Sequence, residues 1–165
     1  MRATNKTIAF AVMAICALLA GCQDKPAEAP EEEPGQAALY PDIAQAKQDI
    51  AAALAQAGKE NKRVLLDFGG NWCGDCQVLN IYFHAPANRA LLDRNYVLVP
   101  VNVGHLDENL DLATKYGVPL VKGVPALAVL DAKGELLYSQ HNAEFESMGR
   151  VDPGAVTAFL LQWKG

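Results

Sequence analysis

Cys73 and Cys76, in the stretch GGNWCGDCQVL over residues 69–79, are separated by two residues. A pair at this spacing can hold a soft metal, close a local staple or exchange electrons with another disulfide. A structural zinc site needs four ligands, and this pair supplies only two. His84, His105 and His141 have no suggestive spacing to the pair, so no metal or other cofactor is expected. Soft thiolates suit Cu(I). A copper or cytochrome-maturation chaperone is therefore the alternative reading, although no methionine or histidine lies within the motif. A binding module with an inert disulfide would need a buried pair, and Gly69, Gly70 and Asp75 argue for an open one. Electron exchange fits the residue types best.

The other two cysteines have different fates. Residues 1–21 read as a targeting segment, with Arg2 and Lys6 as a positive start and an apolar stretch from Ile8 to Ala20. That stretch is too short for a comfortable membrane span. It ends in Leu19-Ala20-Gly21-Cys22, which resembles a bacterial lipobox. The resemblance implies that Cys16 leaves with the signal and that the Cys22 sulfur takes a lipid. Cys73 and Cys76 then remain as the free pair of the mature chain. Two or three acyl chains hold a protein stably on a bilayer. The expected location is the periplasmic face of the bacterial envelope, where disulfides can persist. Gln23, where an Asp favours inner-membrane retention in the enterobacterial pattern, weakly favours the outer membrane.

Residues 22–37 read as the lipidated cysteine and an acidic, proline-rich linker. QDKPAEAPEEEPGQ has nothing apolar beyond alanine and cannot bury enough surface to order itself. Proline and charge keep it extended and solvated. The net charge of -5 over 165 residues argues against a nucleic-acid partner.

Residues 38–165 are long enough for one domain with its own core, and a monomer is expected. Asp42 can cap a helix whose apolar face is Ile43, Ala46, Ile50, Ala53, Leu54 and Ala57, with Gly58 as the stop. RVLLDF, 63–68, reads as a buried strand. A helix should begin at the cysteines and run through QVLNIYF, followed by a second from Asn88 to Arg94. YVLVPVNV, 96–103, is a second strand, and Leu106 to Tyr116 a helix closed by Gly117. ALAVL, 126–130, and ELLYS, 135–139, flank Asp131-Ala132-Lys133-Gly134 as an antiparallel hairpin. Asp152-Pro153 opens a last helix to Trp163.

This order, with CxxC between the first strand and its helix, resembles the thioredoxin fold: α/β, a central mixed sheet flanked by helices. Asp67 lies six residues before Cys73, where thioredoxins carry a buried carboxylate. Trp72 precedes the first cysteine as in their WCxxC, and Val124-Pro125 precedes ALAVL as their cis-proline does. Within the family the chain is most similar to the envelope-facing domains related to the C-terminal domain of the transmembrane disulfide reductases. Three positions depart from thioredoxins proper. Gly69 replaces an aromatic residue, Pro100 replaces the lysine that pairs with the buried aspartate, and Ile81 replaces a helix-kinking proline.

The resemblance implies roles. Cys73, at a helix N-terminus whose unpaired N–H groups favour a thiolate, is the expected nucleophile. Cys76 resolves the mixed disulfide, and Asp67 accepts its proton. Trp72, Val124 and Pro125 are expected to meet the substrate. Gly74 and Asp75, between the cysteines, tune the couple. A carboxylate at position 75 repels the Cys73 thiolate and makes the dithiol the better electron donor. The expected activity is therefore a reductase-leaning thiol–disulfide exchange on protein or small-molecule disulfides. A membrane disulfide reductase is the electron donor the resemblance implies.

Overall fold

A computed structural model describes residues 38–165. The expected signal, Cys22 and the linker fall outside the described residues.

The apolar run after Lys62 forms β1, Arg63–Gly69, in which every residue but Arg63 is buried. Its neighbours explain the burial. β2, Tyr96–Asn102, pairs with it in parallel, and β3, Ala126–Leu130, pairs antiparallel on its other side. A strand flanked on both edges and covered on both faces reads as continuous apolar sequence rather than alternation. β4, Leu136–Ser139, completes the order β2-β1-β3-β4.

Helices cover both faces. Val64, Leu66 and Phe68 pack with Ala46, Ile50, Ala53 and Ala57 of α1, Ala46–Glu60. Those four small or branched residues recur at helical spacing, as the sequence predicts. Leu65 points the other way. It meets Leu79 and Phe83 of α2, Gly74–His84, Leu92 of α3, Pro86–Asn95, and Val156 and Leu160 of α5, Pro153–Trp163. Each such buried side chain contributes roughly 1.5–3 kcal/mol of hydrophobic stabilisation. Asp152 caps α5 by accepting from the Gly154 amide, with Pro153 in the first turn, as expected. The architecture is the α/β one expected, a mixed sheet flanked by helices.

Some boundaries differ from the sequence reading. Gly58 lies inside α1. The helix stops at Asn61, whose φ of 52° and ψ of 46° are left-handed, a conformation asparagine tolerates better than most residues. Ile43 belongs to a 3-10 turn, Ile43–Gln45, preceding α1. α3 starts at Pro86, two residues before Asn88, because proline in the first helical turn loses no backbone hydrogen bond. The helix expected from Leu106 begins only at Leu110, as α4, Leu110–Lys115. Before it the chain turns tightly. The amides of Leu106, Asp107 and Glu108 all donate to the Val103 carbonyl, and Leu106 and Asn109 take positive φ values of 71° and 52°. No helix passes through two such residues.

Candidate active site

Cys73 stands at the end of the loop leaving β1 and is the N-cap of α2. Its Sγ accepts from the Cys76 amide at 3.1 Å. This amide is one of the first-turn donors that a helix leaves unpaired. The two sulfurs form a disulfide, with Cα atoms 5.2 Å apart. Cys76 is wholly buried and Cys73 is 5% exposed. Cys73 is thus the cysteine with access to solvent, and only narrowly in this oxidised state.

The Val124–Pro125 peptide bond is cis, the isomer the resemblance implies. The Val124 carbonyl oxygen lies 3.6 Å from Cys73 Sγ. Gln140, buried, holds the strand beyond Pro125. Its Nε2 donates to the Pro125 carbonyl at 3.1 Å, and its Oε1 accepts from the Leu127 amide at 3.2 Å. A side-chain amide here mimics a strand partner where β4 has ended. Nothing in the local sequence signals that role.

Trp72 forms the other wall and is 49% exposed. Its indole N–H donates to the Gly104 carbonyl, and its ring stacks on His105 with centroids 5.4 Å apart. Gly70 is required beneath it. A Cβ there would sit 2.6 Å from Trp72 Nε1. Gly74 is under no such constraint, since a Cβ there would meet nothing within 4 Å.

Asp75 is half-buried rather than free in solvent. Its Oδ1 accepts from the Met148 amide at 2.8 Å, which ties the first turn of α2 to the 3-10 turn Met148–Arg150. The carboxylate between the cysteines therefore has a structural partner that sequence reasoning did not supply.

Asp67 is buried on β1 behind the cysteines. Its register partner on β2 is Pro100, so no cation from that strand pairs with it. Proline is tolerated there because β2 is an edge strand. Among the described residues the one partner of Asp67 is the hydroxyl of Tyr40, which donates to Oδ2 at 3.0 Å, while Oδ1 has none. Burial pushes the Asp67 carboxyl up to about 7, and the Tyr40 hydrogen bond opposes the shift. Burial and the neighbouring carboxylate raise the Tyr40 phenol far above its ordinary range, so it stays protonated.

Tyr40 also explains Gly69. A Cβ at 69 would lie 2.3 Å from the Tyr40 hydroxyl oxygen and 2.8 Å from Cys76 Sγ. The tyrosine that precedes α1 thus occupies space beside position 69, where thioredoxins proper have an aromatic residue. The sequence reading noted the missing aromatic at 69 and missed its replacement. The Tyr40–Asp67 hydrogen bond spans 27 residues, and one tyrosine before a helix cap carries no pattern.

The structure therefore brings Cys73, Cys76, Trp72, Val124 and Pro125 together at one end of the sheet, with Asp67 beneath. Among the described residues, no three His, Cys, Asp or Glu side chains converge in a way that could hold a metal.

The chain is similar to known proteins. The family described as thioredoxin-like matches residues 45–132. A thioredoxin of Acidithiobacillus ferridurans is 28% identical over 102 residues, covering 62% of this chain and 80% of its own. The crystal structure of a disulphide isomerase from Xylella fastidiosa Temecula1 superposes with a TM-score of 0.72 at 30% identity. It covers 78% of this chain and 98% of that one. A Thermus thermophilus thioredoxin, at 24% identity and a TM-score of 0.52, covers 68% and 81% and shares the fold.

Proposed function

This chain belongs to the thioredoxin-like family and is a thiol–disulfide oxidoreductase, and from that premise we propose that it is a reductase held by a lipid on the periplasmic face of the bacterial envelope. The observation that carries the chemistry is the placement of Cys73. Its sulfur sits at the N-cap of α2, accepts an amide hydrogen bond and lies beside the Val124 carbonyl.

In the reduced protein the helix dipole and the Cys76 amide favour the Cys73 thiolate. That thiolate attacks a substrate disulfide. A Cys73–substrate S–S bond forms, the substrate S–S bond breaks, and the first substrate sulfur leaves as a thiolate and takes a proton from water. Cys76 then gives its proton to the Asp67 carboxylate and attacks Cys73 Sγ. The Cys73–Cys76 bond forms and the bond to substrate breaks. The second substrate sulfur leaves and is protonated in turn. Two electrons have passed from the dithiol to the substrate.

Protein disulfides are the substrate class that the relatives' names favour. Trp72 and the Val124–Pro125 segment flank the sulfur that such a substrate must reach. The carboxylate of Asp75 in the first turn of α2 supports the reductase direction, because it disfavours a neighbouring thiolate. The lipobox-like Leu19-Ala20-Gly21-Cys22 supports the anchor, with the outer membrane weakly favoured by Gln23. A membrane-embedded disulfide reductase would return the electrons.

Trapping tests the reading. With Cys76→Ala, the first step proceeds and the second cannot, so substrates should remain attached to Cys73 as mixed disulfides that dithiothreitol releases. Failure of this variant to capture any envelope protein, while Cys73→Ser behaves identically, would remove the proposed reaction.

A further inference from the structure

Asp67 and Gly69, two residues apart on β1, share one face of the sheet, and the Tyr40 hydroxyl sits against both. We propose that Tyr40 is a positioning residue for the resolving step, holding the Asp67 carboxylate so that its free oxygen receives the proton of Cys76. The proposal rests on the reading of Asp67 as that proton's acceptor.

Three observations carry it. First, the hydroxyl is the sole hydrogen-bond partner of Asp67 among the described residues, and it engages Oδ2 alone, leaving Oδ1 bare and buried. A buried carboxylate oxygen without a partner is costly unless it serves a purpose or holds a proton. Second, Tyr40 Oη and Cys76 Sγ both crowd the point a Cβ at position 69 would occupy, at 2.3 and 2.8 Å from it. Third, Tyr40 is built in rather than merely packed. Its amide donates to Asn71 Oδ1 at 2.9 Å, and Asn71 Nδ2 donates back to its carbonyl at 3.0 Å. Asn102 Nδ2 donates to the next carbonyl, that of Pro41, at 2.9 Å, and Asn109 Nδ2 to that of Ile43 at 3.0 Å. Three side-chain amides, from the loop before the cysteines, the end of β2 and the N-cap of α4, strap one short segment in place. Asn71 directly precedes Trp72, so the strap reaches the cysteine loop itself.

The electrostatics agree with the geometry. Beside Asp67, β2 and β3 present Pro100 and Leu127 as register partners. Among the described residues, the titratable groups at this place are Tyr40, from the segment before α1, and Cys76, from α2. Tyr40, permanently protonated, donates to Asp67 in either protonation state and favours its charged form. The proton transferred from Cys76 Sγ then goes to Oδ1, with no change in oxidation state. The sulfur–sulfur exchange follows as written above.

The experiment reads resolution directly. The reduced full chain is mixed with an aromatic disulfide in stopped flow, and release of the second chromogenic thiolate is followed from pH 5 to 9. Tyr40→Phe keeps the ring and removes the donor. Its rate–pH midpoint should move upward by about one pH unit, with up to tenfold slower resolution below the midpoint and convergence above it. Incorporating 3-fluorotyrosine at position 40, a stronger donor of the same shape, should move the midpoint the opposite way. In an Asp67→Asn background, Tyr40→Phe should change nothing further. An unmoved midpoint in both Tyr40 substitutions, or an equal slowing by Tyr40→Phe with and without Asp67, would reduce Tyr40 to packing and overturn the proposal. If Asp67→Asn itself leaves the rate and its pH profile intact, the acceptor reading fails and this proposal with it, whereas loss of activity in Cys73→Ser stands apart from both.

Discussion

Asp67 and Pro100 are register partners across the parallel β1–β2 pair, so β2 places no charge opposite the buried carboxylate. The carboxylate is left with one phenolic donor and a desolvation penalty. That combination makes its protonation a stability term as well as part of the proposed resolving step.

The sign follows from the direction of the shift. The folded protein holds the Asp67 proton up to about pH 7, because burial disfavours the charge. The unfolded chain releases it near ~3.9. Between those values the native state binds more protons, so stability falls as pH rises, by about 1.4 kcal/mol per unit, and levels off above the folded value. Asp67→Asn, measured as the disulfide form so that Cys76 does not titrate, should lose this dependence. It should be more stable than the parent at pH 8, by up to about 4 kcal/mol, and resolve mixed disulfides more slowly. Urea unfolding at pH 5 and pH 8 measures the first effect. Parallel pH dependence in both proteins would mean that Asp67 is already ionised in the fold.

Gly69→Ala should be costly for a stated reason. The added methyl would overlap the Tyr40 hydroxyl oxygen and crowd Cys76 Sγ. Overpacking of this kind typically costs about 1–3 kcal/mol. Removing the ring with Tyr40→Ala should relieve part of that cost, so the two substitutions should be less harmful together than the sum of their separate effects. Thermal unfolding of the four proteins in the cycle gives the coupling. Strict additivity would mean that the two residues do not share the space as described.

Much of this was legible in the chain, and the exceptions have physical causes. VLLDF announced a central strand because both of its faces are covered. WCGDC and Val124-Pro125 were legible because their chemistry depends on local order. The turn at 103–109 was not, since the apolar spacing of Leu106 and Leu110 imitates a helix while two left-handed residues forbid one. Gly58 looked like a stop, yet Asn61 supplies the left-handed residue that ends α1. Asp75 was read for its charge alone, and its bond to the Met148 amide closes a loop of 73 residues that no local pattern announces. Tyr40 and Gln140 were invisible for the same reason.

The anchor can be tested apart from the chemistry. Cys22→Ala should leave residues 38–165 folded and the dithiol competent, because Tyr40, Asp67, Trp72, Cys73, Cys76, Val124 and Pro125 all lie within the described residues. The variant should leave the membrane fraction and appear in the soluble periplasmic extract. Fractionation with an insulin-reduction assay on each fraction checks both halves. A variant that stays with the membrane after its signal is cleaved would show that something other than a lipid on Cys22 holds it there.

The proposed direction of electron flow rests on Asp75. Its carboxylate lies in the first turn of α2, whose N-terminus otherwise favours Cys73 as a thiolate. It also accepts from the Met148 amide, so charge and tether must be separated. Asp75→Asn keeps an acceptor for that amide and removes the charge. Asp75→His replaces the charge with a group that can donate to or attract a thiolate. Asp75→Ala removes both charge and tether. If the charge governs the couple, the reduction potential should rise in Asn and rise further in His, by on the order of 30 mV, which is about 1.4 kcal/mol for two electrons. The Ala variant should then match Asn. A rise confined to Ala would assign the effect to the tether instead. Equilibration against glutathione or dithiothreitol buffers measures all three, and a potential that stays flat or falls in both Asn and His would take the reductase direction away from Asp75.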